Sequence, residues 1–268
     1  MQSYDCKTTK IFKMFTQKED DPLSKIYFTS DLHFGHENVI RFDNRPFETV
    51  DEMDAELVRR WNAKVDRGDL VYVLGDMIWK TKNDDALNII KSLNGQIILI
   101  KGNHDRFLHN AKAKNALAGV KDRDDICVSL EDGTKRRCIL SHDFIPMYYG
   151  HRHQAIHLHG HSHQTDESVF EFMIQALLRE QGLKPEIYNV GCMYWNYEPV
   201  TLDEILANRH ELMGYDLRRS LDYMERKEES KEASTVFEEI KIGLQEAIDG
   251  DIYRETTLST DESEEDNG

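Results

Sequence analysis

Five times within residues 26–163, a short block of Asp, His or Asn stands directly behind a run of apolar, β-prone residues. The blocks are Asp31-Leu-His33, Gly75-Asp76, Gly102-Asn103-His104-Asp105, His142 within Leu-Ser-His-Asp, and Gly160-His161-Ser-His163. Strands that end repeatedly in polar donors predict an open α/β architecture, in which ligand sites form beyond the strand ends. Any fold proposed for the chain has to bring those five ends together.

The apolar runs read as strands at 26–30, 70–75 and 96–102, with further strands expected at 125–130, 136–141, 156–160 and 187–192. Thr49-Val-Asp-Glu52 has the form of a capping box. Behind it Met53, Leu57, Trp61 and Val65 recur every fourth residue and predict a helix with one apolar stripe. A second helix is expected over about 84–94, stopped by Asn94-Gly95. The order is β-α-β-α first and mostly β afterwards, which predicts a sheet covered by helices. Segment 164–186 reads as an insertion whose Phe170 and Phe172 shape a pocket. Leu202 to about Lys227 reads as helical, with Ile205, Leu212 and Leu221 among its apolar positions. Phe237, Ile240, Leu244 and Ile248 mark another amphipathic segment, suited to a homo-oligomer contact or partner docking, and the acidic end is expected to be disordered.

Composition enters mainly through what it disfavours. A net charge of −16 argues against a broad, stable nucleic-acid footprint, which needs clustered Lys and Arg. No apolar run approaches the roughly 20 residues that span a bilayer, and the start carries no secretory h-region, so the expectation is a soluble, cytoplasmic protein with no membrane partner. The four cysteines show no CxxC spacing. Cys127 and Cys138 are symmetric about the turn dipeptide Asp132-Gly133 and are expected to face each other as reduced thiols.

Each polar block has an ordinary reading: Asp-x-His occurs by chance, Gly-Asp behind a strand is a turn, and a lone His is structural. The histidine-rich run 151–163 could equally be a metal-buffering tract. The ordered set of five is harder to dismiss, because Asp, His and Asn supply oxygen and nitrogen donors for first-row divalent metals. Alternate residues such as Asp31 and His33, or His161 and His163, are expected to point to one side of an extended segment. Glycines ahead of the donors are read as permitting sharp turns.

The series D-x-H, GD, GNHD, lone His and GHxH, spread over roughly residues 26–200, resembles the calcineurin-like metallophosphoesterase superfamily. Residues 31–47 and 189–200 are similar to a branch of small bacterial and phage members. The resemblance implies a four-layer α/β/β/α sandwich, here with a helical, acidic C-terminal extension. It implies two divalent ions, taken as Mn²⁺ with Fe, Zn or Ni as alternatives. Asp31, His33, Asp76 and His163 would hold one, and Asp76, Asn103, His142 and His161 the other. His104 would contact the phosphate and protonate the leaving oxygen, and Asp105 would orient it or structure its loop. The implied reaction is attack of a metal-bridging hydroxide on a phosphate ester, with a small-molecule or nucleotide phosphodiester favoured and a phosphomonoester as the second option. His36, Arg41 and Arg45 could clamp the phosphate, or the arginines could pair with Asp43, Glu48 or Asp51. His159 is the remaining histidine placed nearest the donors. The domain division expected is 1–25 N-terminal, 26–214 catalytic, 215–250 helical and 251–268 tail.

Two rival readings stand beside this one: a nuclease acting on DNA or RNA, and a non-catalytic scaffold of the same fold. A serine/threonine phosphatase is disfavoured because GDMIWKTK replaces GDxxDRG.

Overall fold

The protein is described by a computed structural model covering residues 24–79 and 85–208. Residues 1–23, the expected helix beyond 208 with Leu212 and Leu221, the 236–258 segment, His210 and the acidic tail lie outside the described residues.

The chain runs β1 (Ile26–Thr29), α1 (Glu37–Phe42), α2 (Val50–Lys64), β2 (Leu70–Val73), α3 (Asp85–Ser92), β3 (Gln96–Ile100), α4 (Ala111–Ala116), β4 (Gly119–Lys121), β5 (Asp124–Ser129), β6 (Lys135–Leu140), β7 (Ile156–His159), α5 (Asp166–Glu180), β8 (Glu186–Asn189), β9 (Val200–Thr201) and α6 (Leu202–Ala207). Two sheets form, ordered β4-β3-β2-β1-β9 and β5-β6-β7-β8. In the first, β1 to β4 are parallel, with Ile26 level with Leu70 and Leu70 with Gln96. Strands covered on both faces need continuous apolar runs, which is why LVYV and QIILI lack polar alternation.

One core lies between the sheets. Phe28, Tyr72, Leu74, Ile98 and Ile100 from the first sheet meet Ile126, Val128, Cys138, Leu140, Ile156 and Leu158 from the second. A second core covers the far side of the first sheet, where Met53, Leu57, Trp61 and Val65 pack with Val71, Val73, Ile97 and Leu99. Beyond the second sheet, Glu171 of α5 approaches His159 of β7, whose neighbours Ile156 and Leu158 face inward. The layers are therefore α/β/β/α, as the resemblance implies.

Four local expectations need correction. Thr49 caps α2 by accepting from Glu52 N at 3.2 Å, but the Glu52 carboxylate accepts from Glu48 N, not Thr49, so the capping box is half formed. The hairpin loop between Leu130 and Thr134 has three residues, with Gly133 at φ +83°. That sets Ile126 opposite Cys138 and Cys127 opposite Arg137, so the two cysteines lie on opposite faces. Segment 164–186 is mostly the helix α5, whose start is capped by Thr165. Phe170 and Phe172, two positions apart on a helix, point apart: Phe172 is buried and Phe170 exposed.

Candidate metal centre

All five polar blocks meet at the strand ends, but not by strand alternation. After β1 and β2 the two backbones continue side by side, with Asp31 N donating to Gly75 O and His33 N to Asp76 O. Asp31, His33 and Asp76 have φ of 56°, 54° and 53°, and His161 and His163 have 75° and 49°. These left-handed conformations, not an extended segment, aim the side chains. Each costs a non-glycine residue roughly 1 kcal/mol or more, and such strain collects at functional sites.

Gly75, at φ +94°, makes the turn expected of it, but Gly102 and Gly160 act differently. At Gly102 an added Cβ would lie 2.3 Å from Asp76 Oδ1, and at Gly160 it would lie 1.9 Å from Ser30 Oγ and 2.5 Å from Asp31 Oδ2. These positions need glycine because backbone must pass against a carboxylate, not because the turn is sharp.

The donors form two groups whose ligating atoms lie within 4.8 Å of one another: Asp31, His33 and His163, and Asp31, Asp76 and His142. His33 Nε2 faces His163 Nε2 at 3.1 Å and Asp76 Oδ2 at 3.7 Å. His142 Nε2 faces Asn103 Oδ1 at 2.9 Å and His161 Nδ1 at 3.2 Å. Hydrogen bonds on the far side of the His142 and His163 rings turn Nε2 of each toward the cluster. His142 Nδ1 lies 2.7 Å from Leu74 O and donates to it, which turns Nε2 toward the Asn103 oxygen. His163 Nδ1 donates to the Asp43 carboxylate at 2.8 Å, which turns its Nε2 toward His33. Imidazole nitrogens, carboxylates and an amide oxygen gathered this closely form a donor set that fits a bound divalent cation.

The electrostatics agree. Burial pushes the Asp76 carboxyl upward, and the nearby Asp31 charge adds to this. Burial holds His33 well below the usual imidazole range, with His163 adding to the effect, so the ring is neutral and able to ligate. Burial alone would lower His163, but its bond to Asp43 and the Asp31 charge outweigh that and raise it. A divalent ion in the cluster would relieve the carboxylate repulsion and displace protons from the imidazoles.

Around the donors, Asp105 accepts from Asp76 N, Met77 N and Gly102 N at 3.1, 2.9 and 2.7 Å, which joins the second and third blocks. Burial pushes its carboxyl up to about 6. Asp105 thus structures the loops, the second of the two roles the resemblance implied. His104 is half-buried, its N–H donates to Asp76 Oδ1 at 2.8 Å, and its ring lies 4.9 Å from Trp79. His36 stacks on Trp79, and Arg41 is exposed. Arg45 takes the pairing alternative: its buried guanidinium bonds Asp31 O, Leu32 O and Asp43, which directs it inward and not toward an incoming phosphate.

The histidine-rich run is split three ways, which removes the buffering-tract reading. His161 and His163 reach the cluster, His157 and His159 are buried in β7, and His151 and His153 sit in a surface 3-10 turn. His159 bonds Gly160 O, and Glu171, which it approaches at 3.9 Å, accepts from Ser162 Oγ; it therefore touches the loop between the two donors. Asp43 and Trp79 were not singled out as site residues from sequence. Asp43 had a local signal in its spacing to Arg45, but its partner His163 is 120 positions away.

Among the described residues no helix is long and apolar enough to cross a membrane. A sequence profile described as calcineurin-like phosphoesterase matches residues 24–212. An uncharacterized protein of Methanocaldococcus jannaschii, MJ1445, is 35% identical over 185 residues, covering 69% of this chain and 90% of that one. The gene 66 protein of Mycobacterium phage D29 is 28% identical over 205 residues, covering 68% and 94%. The crystal structure of AQ665 from Aquifex aeolicus, a protein of unknown function, aligns with a TM-score of 0.50 at 24% identity, covering 68% of this chain and 97% of that one; this is a likeness of fold. With its five polar blocks gathered at the strand ends and 24–212 matched by the profile, the chain belongs to the calcineurin-like phosphoesterase family.

Proposed function

We propose that the protein is a dinuclear-metal-dependent phosphoric ester hydrolase, acting on a small-molecule or nucleotide phosphodiester in preference to a monoester. The observation that carries this reading is the convergence of buried donors: Asp31, His33 and His163, and Asp31, Asp76 and His142, bring their ligating atoms within 4.8 Å of one another. One ion would be held by Asp31, His33, Asp76 and His163, and the other by Asp76, Asn103, His142 and His161. Bound there, divalent cations such as Mn²⁺ supply Lewis acidity and a water of much lower pKa.

The chain's own residues do the rest. His104, anchored through its N–H on Asp76 and half-buried beside the cluster, donates a proton to the leaving oxygen. Asp105 keeps the Asp76 and Gly102 backbones in register, and His36 and Arg41 would stand at the rim of the site. A covalent route through the neighbouring hydroxyls and thiol is disfavoured. Ser30 Oγ donates to Leu74 O at 2.7 Å and Ser141 Oγ to Asp143 O at 2.6 Å. Burial pushes the Cys192 thiol up to about 12, far from a reactive thiolate. The net charge of −16 supports a small substrate over a polymeric nucleic acid.

The test is hydrolysis of a chromogenic phosphodiester and its monoester by metal-stripped protein with Mn²⁺ restored, beside His104→Ala and Asp76→Asn. The expected result is metal-dependent turnover, faster on the diester, that both variants lose. No turnover with any first-row metal, together with no retained metal, would sink the proposal.

A further inference from the structure

Three tryptophans lie in the described residues, and one is unlike the others. Trp61 and Trp195 are buried, and their indole N–H groups donate to Asn94 O and Asn189 O. Trp79 is 40% exposed, and it sits at the edge of the donor cluster. Its ring lies 4.9 Å from His104 and 6.3 Å from His33. It is held in place from two sides. The backbone bridge between Phe34 and Ile78, with Trp79 N donating to Phe34 O at 3.0 Å, fixes the main chain. His36 stacks on the indole at 3.9 Å and 7° and fixes the ring plane. The aromatic rim continues outward to Phe42, 64% exposed and edge-on to His36, with the Arg41 guanidinium over its ring.

A large aromatic surface left in water beside a reacting centre loses the gain of burying it, and an oriented, pre-stacked ring is suited to binding a flat partner. We propose that Trp79, backed by His36, is a stacking wall for the heteroaromatic group of a nucleotide-class phosphate ester. The proposal rests on the hydrolase reading and adds the class of ester. The phosphate would sit at the donor cluster and the base against the part of the indole that His36 leaves exposed. Every nucleobase offers a π-face, so the wall selects for a base without selecting among bases.

A purely structural Trp79, packed only to position His36 and His104, makes a different prediction: its loss would weaken phosphate binding whether or not a base is attached. The experiment is calorimetric titration of Mn²⁺-loaded protein with non-hydrolysable methylphosphinate analogues of AMP and of ribose 5-phosphate, diester mimics in which carbon replaces both ester oxygens. The AMP analogue is expected to bind on the order of tenfold more tightly than its base-free counterpart. Trp79→Ala should erase that ratio and Trp79→Phe should keep most of it. Equal affinities in the unmodified protein, failure of both analogues to bind, or a ratio untouched by Trp79→Ala would overturn the proposal. Turnover of the chromogenic esters with equal analogue affinities removes the wall and leaves the hydrolase reading standing. Trp79-dependent binding of the AMP analogue without any turnover does the reverse.

Discussion

Replacing Gly160 by alanine asks for one methyl group where the structure has no space for it. The new Cβ would lie 1.9 Å from Ser30 Oγ, 2.6 Å from Ser30 Cβ and 2.5 Å from Asp31 Oδ2. Rotating the serine hydroxyl clears only the first clash, and it gives up the 2.7 Å bond to Leu74 O. The other two demand a backbone shift of roughly 1 Å to regain ordinary contact distance. Overpacking of this kind costs about 1–3 kcal/mol, and a donor displaced by ~1 Å can lower turnover about 100-fold. Two assays separate the effects: urea unfolding of the metal-free protein, and retained Mn²⁺ after dialysis. Gly68→Ala is the control, since a Cβ there meets nothing within 4 Å. Gly160→Ala should lose stability and metal while Gly68→Ala keeps both. If the two variants behave alike, close approach to Ser30 and Asp31 is not what requires glycine.

Two further outcomes are expected away from that contact. His157 donates through Nδ1 to Ile139 O and accepts from Ile145 N, and burial pushes its pKa down to about 4. The unfolded chain therefore takes up this proton first on acidification, so stability falls between about pH 6.5 and 4, by up to ~1.4 kcal/mol per unit. His157→Gln should flatten that part of the urea-midpoint profile, and an unchanged slope would contradict it. Asp43→Asn removes the carboxylate that fixes the His163 tautomer and neutralises Arg45. Metal affinity by competitive chelation should drop about 10–100-fold, with near-UV circular dichroism confirming a folded chain; unaltered affinity would show that the Asp43–His163 bond plays no part.

What was legible in the sequence was the junction between apolar run and donor block, because a strand buried on both faces has to be apolar and its end has to stop being so. Ile26–Thr29, Leu70–Val73 and Gln96–Ile100 carried that contrast clearly. Strand β4 at Gly119–Lys121 and β9 at Val200–Thr201 were missed, since two or three residues hold no period. The one-residue error at Cys127 and Cys138 came from assuming a two-residue hairpin loop where Glu131-Asp132-Gly133 makes three. Asp43 and Trp79 escaped because their roles exist only across long separations, 120 positions from Asp43 to His163, and two helices and a strand between His36 and Trp79. The reason for Gly102 and Gly160 was likewise invisible, since a forbidden Cβ is a property of the neighbour and not of the glycine.

The donors are drawn from both sides of a seam. Asp31, His33, Asp76 and Asn103 follow strands of the five-stranded sheet, while His142, His161 and His163 follow strands of the four-stranded one. A cation held among them would be a clasp between two leaves that are already joined by their own apolar interior. Chelation should then open one edge of the sandwich without unfolding it, and amide hydrogen exchange would quicken in the loops after β1, β6 and β7 while Phe28, Leu140 and Leu158 stay slow.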